Sequence, residues 1–560
     1  MNTRGSLILR EPTVVVTVIF MITVIALFVL LPAASMLLES VRGFTLHRYV
    51  DFFASRYFRH TLYNTLLVSG LATLFSMTAG FLFAYTVTRT DVPLRRLFST
   101  IVLVPMLLPA FLIAFALILL LGRNGLLNQA LEIVNPGGVR FNIYSPWGVI
   151  LAQTLSFFPM SFLLFAAALS AIDPRLEDAA QDLGGDYWYT LRRVTLPLMA
   201  PAAFGSALLL FMFHASAFGA PALLGGRGLF FGNATMLAPE AIIQTLGARS
   251  DWGMGATLAV VLVVPSIALF LAGEYYLKRR SYVTVTGAPT AFRPRPVPSG
   301  VKWTLFALCL LISLFIAAVV AVVAVGAFTQ TWGINYSFTD RHLRTALTAS
   351  RRSINNSIFL AGSGGFAAAL FGTLSAWVFA RKSFRGSRVV DALSMIPYAL
   401  PGMVMGLGFA IAFSGNIPGL IMSGTGLIIF LNHVVRRMPY GIRSAAGAIR
   451  QIDPSIEEAA ADLGGRPVYS FVRVTMPLLK DAFFASFVFG FINMMTDITA
   501  VIFLVSPRWR LLSVDVFNAI EATRYGTASA LSLIMILSTL IVLAVARVLG
   551  GVRLGGKEAG

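Results

Sequence analysis

The residues able to do chemistry in this chain fall in two kinds of place. The first is a polar segment that occurs twice. Residues 173–199 read DPRLEDAAQDLGGDYWYTLRRVTLPLM and residues 453–479 read DPSIEEAAADLGGRPVYSFVRVTMPLL, identical at 15 of 27 positions and 280 residues apart. Asp173 and Asp453 suit a helix N-cap, because a carboxylate there accepts from free backbone N–H groups. Pro174 and Pro454 suit the first helical position. Leu176, Ala179, Ala180 and Leu183 then recur at i, i+3, i+4 and i+7, as do Ile456, Ala459, Ala460 and Leu463, so each helix has one apolar face. The carboxylates Asp178, Asp182, Glu458 and Asp462 stand in the same turns, and Gly184 and Gly464 end the helices. An apolar face next to water must be covered, either by a second protein or by the ends of the chain's own helices. Helix physics leaves both open.

The second kind of place is a polar group inside an apolar stretch. Asp497 lies in Phe491-Ile-Asn-Met-Met-Thr-Asp-Ile-Thr, with Asn493 and Thr496 at nearby helical positions. At the matching place 280 residues earlier stands Ala217, with His214 and Ser216 beside it. Ionisable groups at membrane depth are costly and mark either a solute route or a polar tie between helices. Both roles are open for Asp497 and His214. Asn64 and Asn356 are expected to cap the outer ends of their spans, and Pro105, Pro109, Pro397 and Pro401 to kink theirs. The other familiar chemistries are missing from the sequence. No G-x-x-x-x-G-K-[ST] run is present, so the chain has no phosphate-cradling loop of that type. The five histidines (His47, His60, His214, His342, His433) show no metal-ligand spacing. The single cysteine, Cys309, permits no intrachain disulfide.

The elements that must position these groups are membrane spans. Of 560 residues, 57% are hydrophobic and 12% charged, with mean hydropathy +0.81. A soluble domain carries about 25% charged residues. The net charge of +19 sits in short loops between apolar runs, which reads as membrane orientation and not as a nucleic-acid surface. The first run, Thr13–Leu38, is too long for the ~7–15-residue apolar region of a signal peptide, so an uncleaved span is expected. Stretches long enough to cross, about 20 residues, fall near 13–38, 61–87, 97–121, 147–171, 198–224, 255–277, 303–328, 353–380, 389–413, 426–449, 478–505 and 528–549. The tenth is interrupted by Arg436, Arg437 and Arg443 and could instead run from about Ile417 to Val435. With the N-terminus inside, 28 of the 43 Lys and Arg fall on the inner side, which sets both termini in the cytoplasm. The expected fold is all-α and polytopic.

Twelve spans divide into two halves of six. Residues 1–277 form the first half and 303–560 the second, joined by a cytoplasmic Pro- and Arg-rich tether at 278–302. An even number per half makes the repeats parallel, related by an axis along the membrane normal, with a route expected between them. Early matches (Asn64 with Asn356, Arg89 with Arg381) are 292 residues apart and later ones 280, so the first half carries 12 extra residues around Gly122–Ser145. The stretch Gly225-Gly-Arg-Gly-Leu-Phe-Phe-Gly is expected to be an outer loop.

The repeated segment resembles the EAA motif of binding-protein-dependent importer permeases: Glu-Ala-Ala, three residues, Gly, then nine residues before Ile-x-Leu-Pro. The second copy supplies Glu458-Ala459-Ala460, Gly464 and Val474-Thr475-Met476-Pro477. The first supplies Asp178-Ala179-Ala180, Gly184 and Val194-Thr195-Leu196-Pro197, with aspartate in place of the glutamate. The resemblance implies the type I ABC importer permease fold, with each short helix docking in a cleft of an ATP-hydrolysing subunit. It implies two copies of that subunit, carrying the ATP and Mg, an extracytoplasmic solute-binding protein, and a place in the bacterial inner membrane. No cofactor is implied for this chain itself. Two fused halves, with Val-Ser-Pro-Arg-Trp at 505–509, look most like the ferric-iron group, whose relatives handle thiamine, phosphonates, sugar phosphates and polyamines. An ion-coupled secondary transporter is the competing class. It needs intramembrane carboxylates, for which Asp497 is the one candidate, and leaves the paired helices unexplained.

Overall fold

The computed structural model describes residues 12–43, 45–138, 140–225, 230–248, 250–279, 297–381, 386–415 and 420–550. The tether at 280–296 and the core of the outer loop at 226–229 lie outside the described residues. Apolar chains in lipid must satisfy every backbone group internally, and helices do so. All twelve expected stretches are accordingly helical. Eight helices are long and apolar enough to cross a membrane, from Val15–Ser40 to Tyr525–Val548, and two sharply bent pairs raise the number to ten. The sixth stretch is the helix Trp252–Arg279, whose apolar part is shorter. The tenth is one continuous helix, Gly426–Ile449, running through its three arginines. Among the described residues the one sheet is a small hairpin of Thr329–Thr331 and Asn335–Phe338 after the seventh span.

Small residues set the closest helix crossings, as in other membrane bundles. A Cβ on Gly80 of the second span (Arg56–Arg89) would lie 2.6 Å from Ser161 of the fourth (Pro146–Ala171). In the second half, a Cβ on Gly372 of the eighth span (Arg351–Arg381) would lie 2.6 Å from the backbone of Gly441 in the tenth. The same pair of spans thus crosses closely in each half.

The first span of each half also packs on the other half. In the first span, Phe28 stacks on Phe409 at 6.4 Å and Phe20 meets Phe371 at 5.9 Å, both second-half residues. In the seventh span (Ser299–Ala327), Phe306 meets Phe98 at 6.0 Å and Cys309 donates to Thr86 at 3.5 Å, both first-half residues. Lys302, at its start, pairs with Asp91 at 2.5 Å. Lys302 holds the Asp91 carboxyl below the ordinary carboxylate range.

Four spans break inside the bundle. The third halts at Leu108-Pro109 before restarting as Ala110–Leu121. The ninth halts at Leu400-Pro401 and turns through 103° into Gly402–Ala412. Proline removes a backbone donor and clashes with the preceding turn, so the prolines do kink these helices. The fifth and eleventh spans end at Ala215 and Thr496, one residue apart in the repeat register. Asp497 therefore sits just past a helix end in extended backbone, not within a continuous span.

Candidate functional site

The repeated segments build the same local structure twice. Helices Pro174–Asp182 and Pro454–Asp462 are capped by Asp173, which accepts from the Arg175 N–H at 2.9 Å, and Asp453, which accepts from the Ser455 N–H at 2.9 Å. That bond, which favours the charged form, holds the Asp453 carboxyl below its ordinary range. Gly184 and Gly464 take left-handed backbone, φ 86° and 80°, which a side chain adopts only with strain. The next amides turn back to the helix: Gly185 N–H donates to Ala180 O at 2.9 Å and Gly465 N–H to Ala460 O at 2.9 Å, closing the helix end. Beyond them the chain enters the fifth or eleventh span through one widened turn, Leu191–Thr195 or Phe471–Thr475. Pro197 and Pro477 follow two residues later and cannot donate to the regular i−4 carbonyl.

These two helices are inverted relative to an ordinary amphipathic helix. The apolar residues point to solvent: Leu183 is 89% exposed and Leu463 90%, with Leu176 and Ile456 also exposed. Asp178, Asp182, Glu458 and Asp462 are exposed around them. The residue turned inward is a glutamate. Glu177, 6% exposed, accepts from Thr195 Oγ1 at 2.9 Å and lies 3.5 Å from Arg89. Arg89 also donates to the carbonyls of Leu169 and Ile172, at 2.7 and 3.1 Å, at the end of the fourth span. The second half repeats this. Glu457 accepts from Thr475 at 2.9 Å and Trp377 at 3.4 Å and lies 3.5 Å from Arg381, which donates to Ile449 and Ile452. An arginine thus fills the open carbonyls of one helix end and grips the glutamate of the short helix. Of the two coverings open from the sequence, the chain's own spans do not provide one for the leucines.

The second site is a cavity of about 260 Å³ where the broken third, fifth, ninth and eleventh spans meet. Ser216, Asn493, Thr496 and Asp497 line it. His214 does not. It is wholly buried, 3.2 Å from Ser76 Oγ and edge-on to Phe157, a tie between the fifth span and its neighbours. The residues that the sequence reading passed over are on the tenth span. Arg436 donates to Asp497, whose own carbonyl accepts from Ser513 at 2.7 Å. His433 Nδ1 lies 4.0 Å from the same carboxylate. Arg437 faces the cavity too, with Tyr398 and Tyr440. A Cβ on Gly402 would lie 2.5 Å from Arg436, so the guanidinium packs directly against the restart of the ninth span. Three arginines in one apolar helix were the available signal, read as an interruption.

Asn64 and Asn356 also have a different part from the expected caps. Asn64 donates to the carbonyls of Phe231, Ala234 and Thr235, and Asn356 to those of Arg508 and Arg510. Thr65 and Ser357, the next residues, accept from Leu237 and Leu512 N–H at 2.8 and 2.7 Å. Each second span of a half therefore clasps the segment that returns after the broken fifth span.

The model of the family described as binding-protein-dependent transport system inner membrane component matches twice, at residues 76–282 and 368–552. A ferric transport system permease protein FbpB of Actinobacillus pleuropneumoniae is 29% identical over 90% of this chain and 73% of its own length. A putative ferric transport system permease protein FbpB 1 of Haemophilus influenzae is 30% identical over 81% of this chain and 72% of its own length. The sulfate transport system permease protein CysT of Escherichia coli, 28% identical, matches 43% of this chain with 87% of its own length. A solved bacterial alginate ABC transporter aligns over 48% of this chain at 21% identity, with TM-score 0.40.

Proposed function

The chain belongs to the binding-protein-dependent transport system inner membrane components, and we propose that it is the permease of an ATP-driven ferric-iron importer. The observation that carries the ATP-driven part is the pair of inverted helices. A leucine held 89% exposed on a helix anchored through its glutamate is a surface prepared for a partner. Two equivalent surfaces call for two equivalent partners, which are copies of an ATP-hydrolysing subunit that holds the ATP and Mg. Two relatives that match along most of both halves are ferric transport system permease proteins by name.

In this reading the short helices face the cytoplasm, as do both termini, and the membrane is the bacterial inner membrane. Closure of the ATPase dimer pulls Pro174–Asp182 and Pro454–Asp462 together. Arg89–Glu177–Thr195 and Arg381–Glu457–Thr475 pass that movement to the second, fourth and fifth spans of each half. The halves then rock about the central cavity, opening it toward an extracytoplasmic binding protein that delivers the cargo. Hydrolysis resets the inward-open state. Residues 1–277 and 303–560 act as the two rocking halves, each carrying the other's first span.

The test is uptake of ⁵⁵Fe by native host cells carrying Leu183→Glu with Leu463→Glu, at matched permease level in the membrane. Uptake is expected to fall to background. Uptake at the unmodified rate contradicts the docking role.

A further inference from the structure

The central cavity holds more positive charge than negative. Among the described residues that line it, Asp497 is the one carboxylate, and Arg436 donates to it. Arg437 forms no ion pair or hydrogen bond with any described residue; the same Asp497 carboxylate attracts it, and its Nε is buried and unsatisfied. A guanidinium does not deprotonate in proteins, so two guanidinium groups that share one carboxylate leave one positive charge uncompensated at membrane depth, which is costly. The other polar groups that face this space are donors or neutral: Tyr398, Tyr440, Asn493, Thr496 and Ser216. The matching first-half residues are Ser156, Phe157 and Ala217, opposite Arg436, Arg437 and Asp497. The charge is thus on one side of the cavity and is not repeated.

A second region has the same sign. At the end of the bundle opposite the short helices, Arg351, Arg352 and Asn356 join Arg510 around a polar basin of about 640 Å³, and Arg508 lines the space adjoining it. Arg510 is paired with Asp515 at 2.6 Å. Guanidinium groups thus line both that basin and the mid-depth cavity. Clefts of one sign concentrate ions of the other, so a bare trivalent cation is repelled at both places.

We propose that Arg437, beside the Asp497-held Arg436, is the seat of an oxyanion, and that ferric iron crosses with an oxyanion in its coordination shell turned toward Arg437. This rests on the importer reading for the iron, but the anion seat stands on the cavity alone. The planar guanidinium fork matches two oxygens of a tetrahedral or carboxylate anion, which an ammonium cannot do as well. The cavity is below the roughly 300–1,000 Å³ of drug-sized sites, consistent with a small inorganic unit.

The full chain in lipid nanodiscs is titrated with ³²P-phosphate, unmodified and as Arg437→Gln and Arg437→Lys. Saturable binding is expected, weakened about tenfold or more in Arg437→Gln (the equivalent of losing one charge-assisted bond) and less in Arg437→Lys. Phosphate binding that is absent, or equal in Arg437→Gln at matched folded amount, overturns the seat. Transport is then read in proteoliposomes holding the chain with its ATPase and binding protein, using ⁵⁵Fe and ³²P together. Phosphate is expected to enter with iron and not without it. Iron entering at an unchanged rate when phosphate and other oxyanions are withheld overturns the chelate. Failure of iron uptake with phosphate binding intact removes the iron reading and leaves the seat.

Discussion

The two halves are copies at one end and strangers in the middle. At the short helices every feature is doubled: aspartate cap, inward glutamate, arginine grip, left-handed glycine, widened turn and exposed leucine. At the cavity the halves share only the helix breaks. Arg436, Arg437 and Asp497 face Ser156, Phe157 and Ala217. The difference follows from what each end touches. In the importer proposed above, two identical partner subunits require two identical surfaces, whereas a single cargo passing between the halves requires a site once. Joining both halves in one chain lets the second half hold the charge while the first supplies apolar wall.

The largest break in this comparison is expected at Asp497. Asp497→Ala leaves Arg436 and Arg437 together without a carboxylate, and removing one partner of a buried pair costs about 3–5 kcal/mol. Ala217→Ser, at the mirrored place, is expected to change thermal stability little. Equal losses at both places in detergent unfolding would contradict the asymmetry.

Next come the grips on the short helices. Glu177→Gln and Glu457→Gln keep the threonine bond but remove the charge facing arginine, for which about 1–3 kcal/mol is the scale of a charged hydrogen bond. The two are expected to lose uptake together while ATP hydrolysis persists, since the coupling and not the ATPase is altered. A defect confined to one half would show that the ends are not equivalent.

Gly184→Ala and Gly464→Ala are smaller again. Nothing lies within 4 Å of the added Cβ at either place, so only the left-handed backbone resists, at about 1–2 kcal/mol. Equal decreases in uptake are expected. The smallest effect is a pH dependence at Asp453. Its carboxyl is lowered by the Ser455 N–H, so the cap is intact above the ordinary carboxylate range and is lost as pH falls through the lowered value. Asp453→Asn, still a capping residue, is expected to flatten acid loss of ATPase coupling below about pH 4.

Much of this was legible in the sequence because repetition marks it. The capped helices, their glycine stops and the proline breaks all follow from local rules that act within a few residues. What was not legible depends on neighbours distant in the chain. Nothing in Val15–Ser40 states that it lies on the second half, since an apolar helix is compatible with any apolar neighbour. The apolar face of Pro174–Asp182 was visible, but its direction was set by Arg89 and Thr195, which lie outside that helix. His214 and Arg437 show the same limit from opposite sides. Both are ionisable and both stand in apolar helices, yet one bonds Ser76 away from the cavity and the other faces it. Which way a side chain turns is decided by helix packing that spacing alone does not encode.

Equivalence of the two docking surfaces is the central claim, and cross-linking tests it most directly. Leu183→Cys and Leu463→Cys, each made in a Cys309→Ser background that removes the native thiol, are joined by a short bifunctional reagent to the ATPase subunit purified with the chain. The account predicts that each single variant links one ATPase subunit and that the double variant links two. Linking at only one position, or at neither in a complex that still hydrolyses ATP and takes up iron, would contradict it.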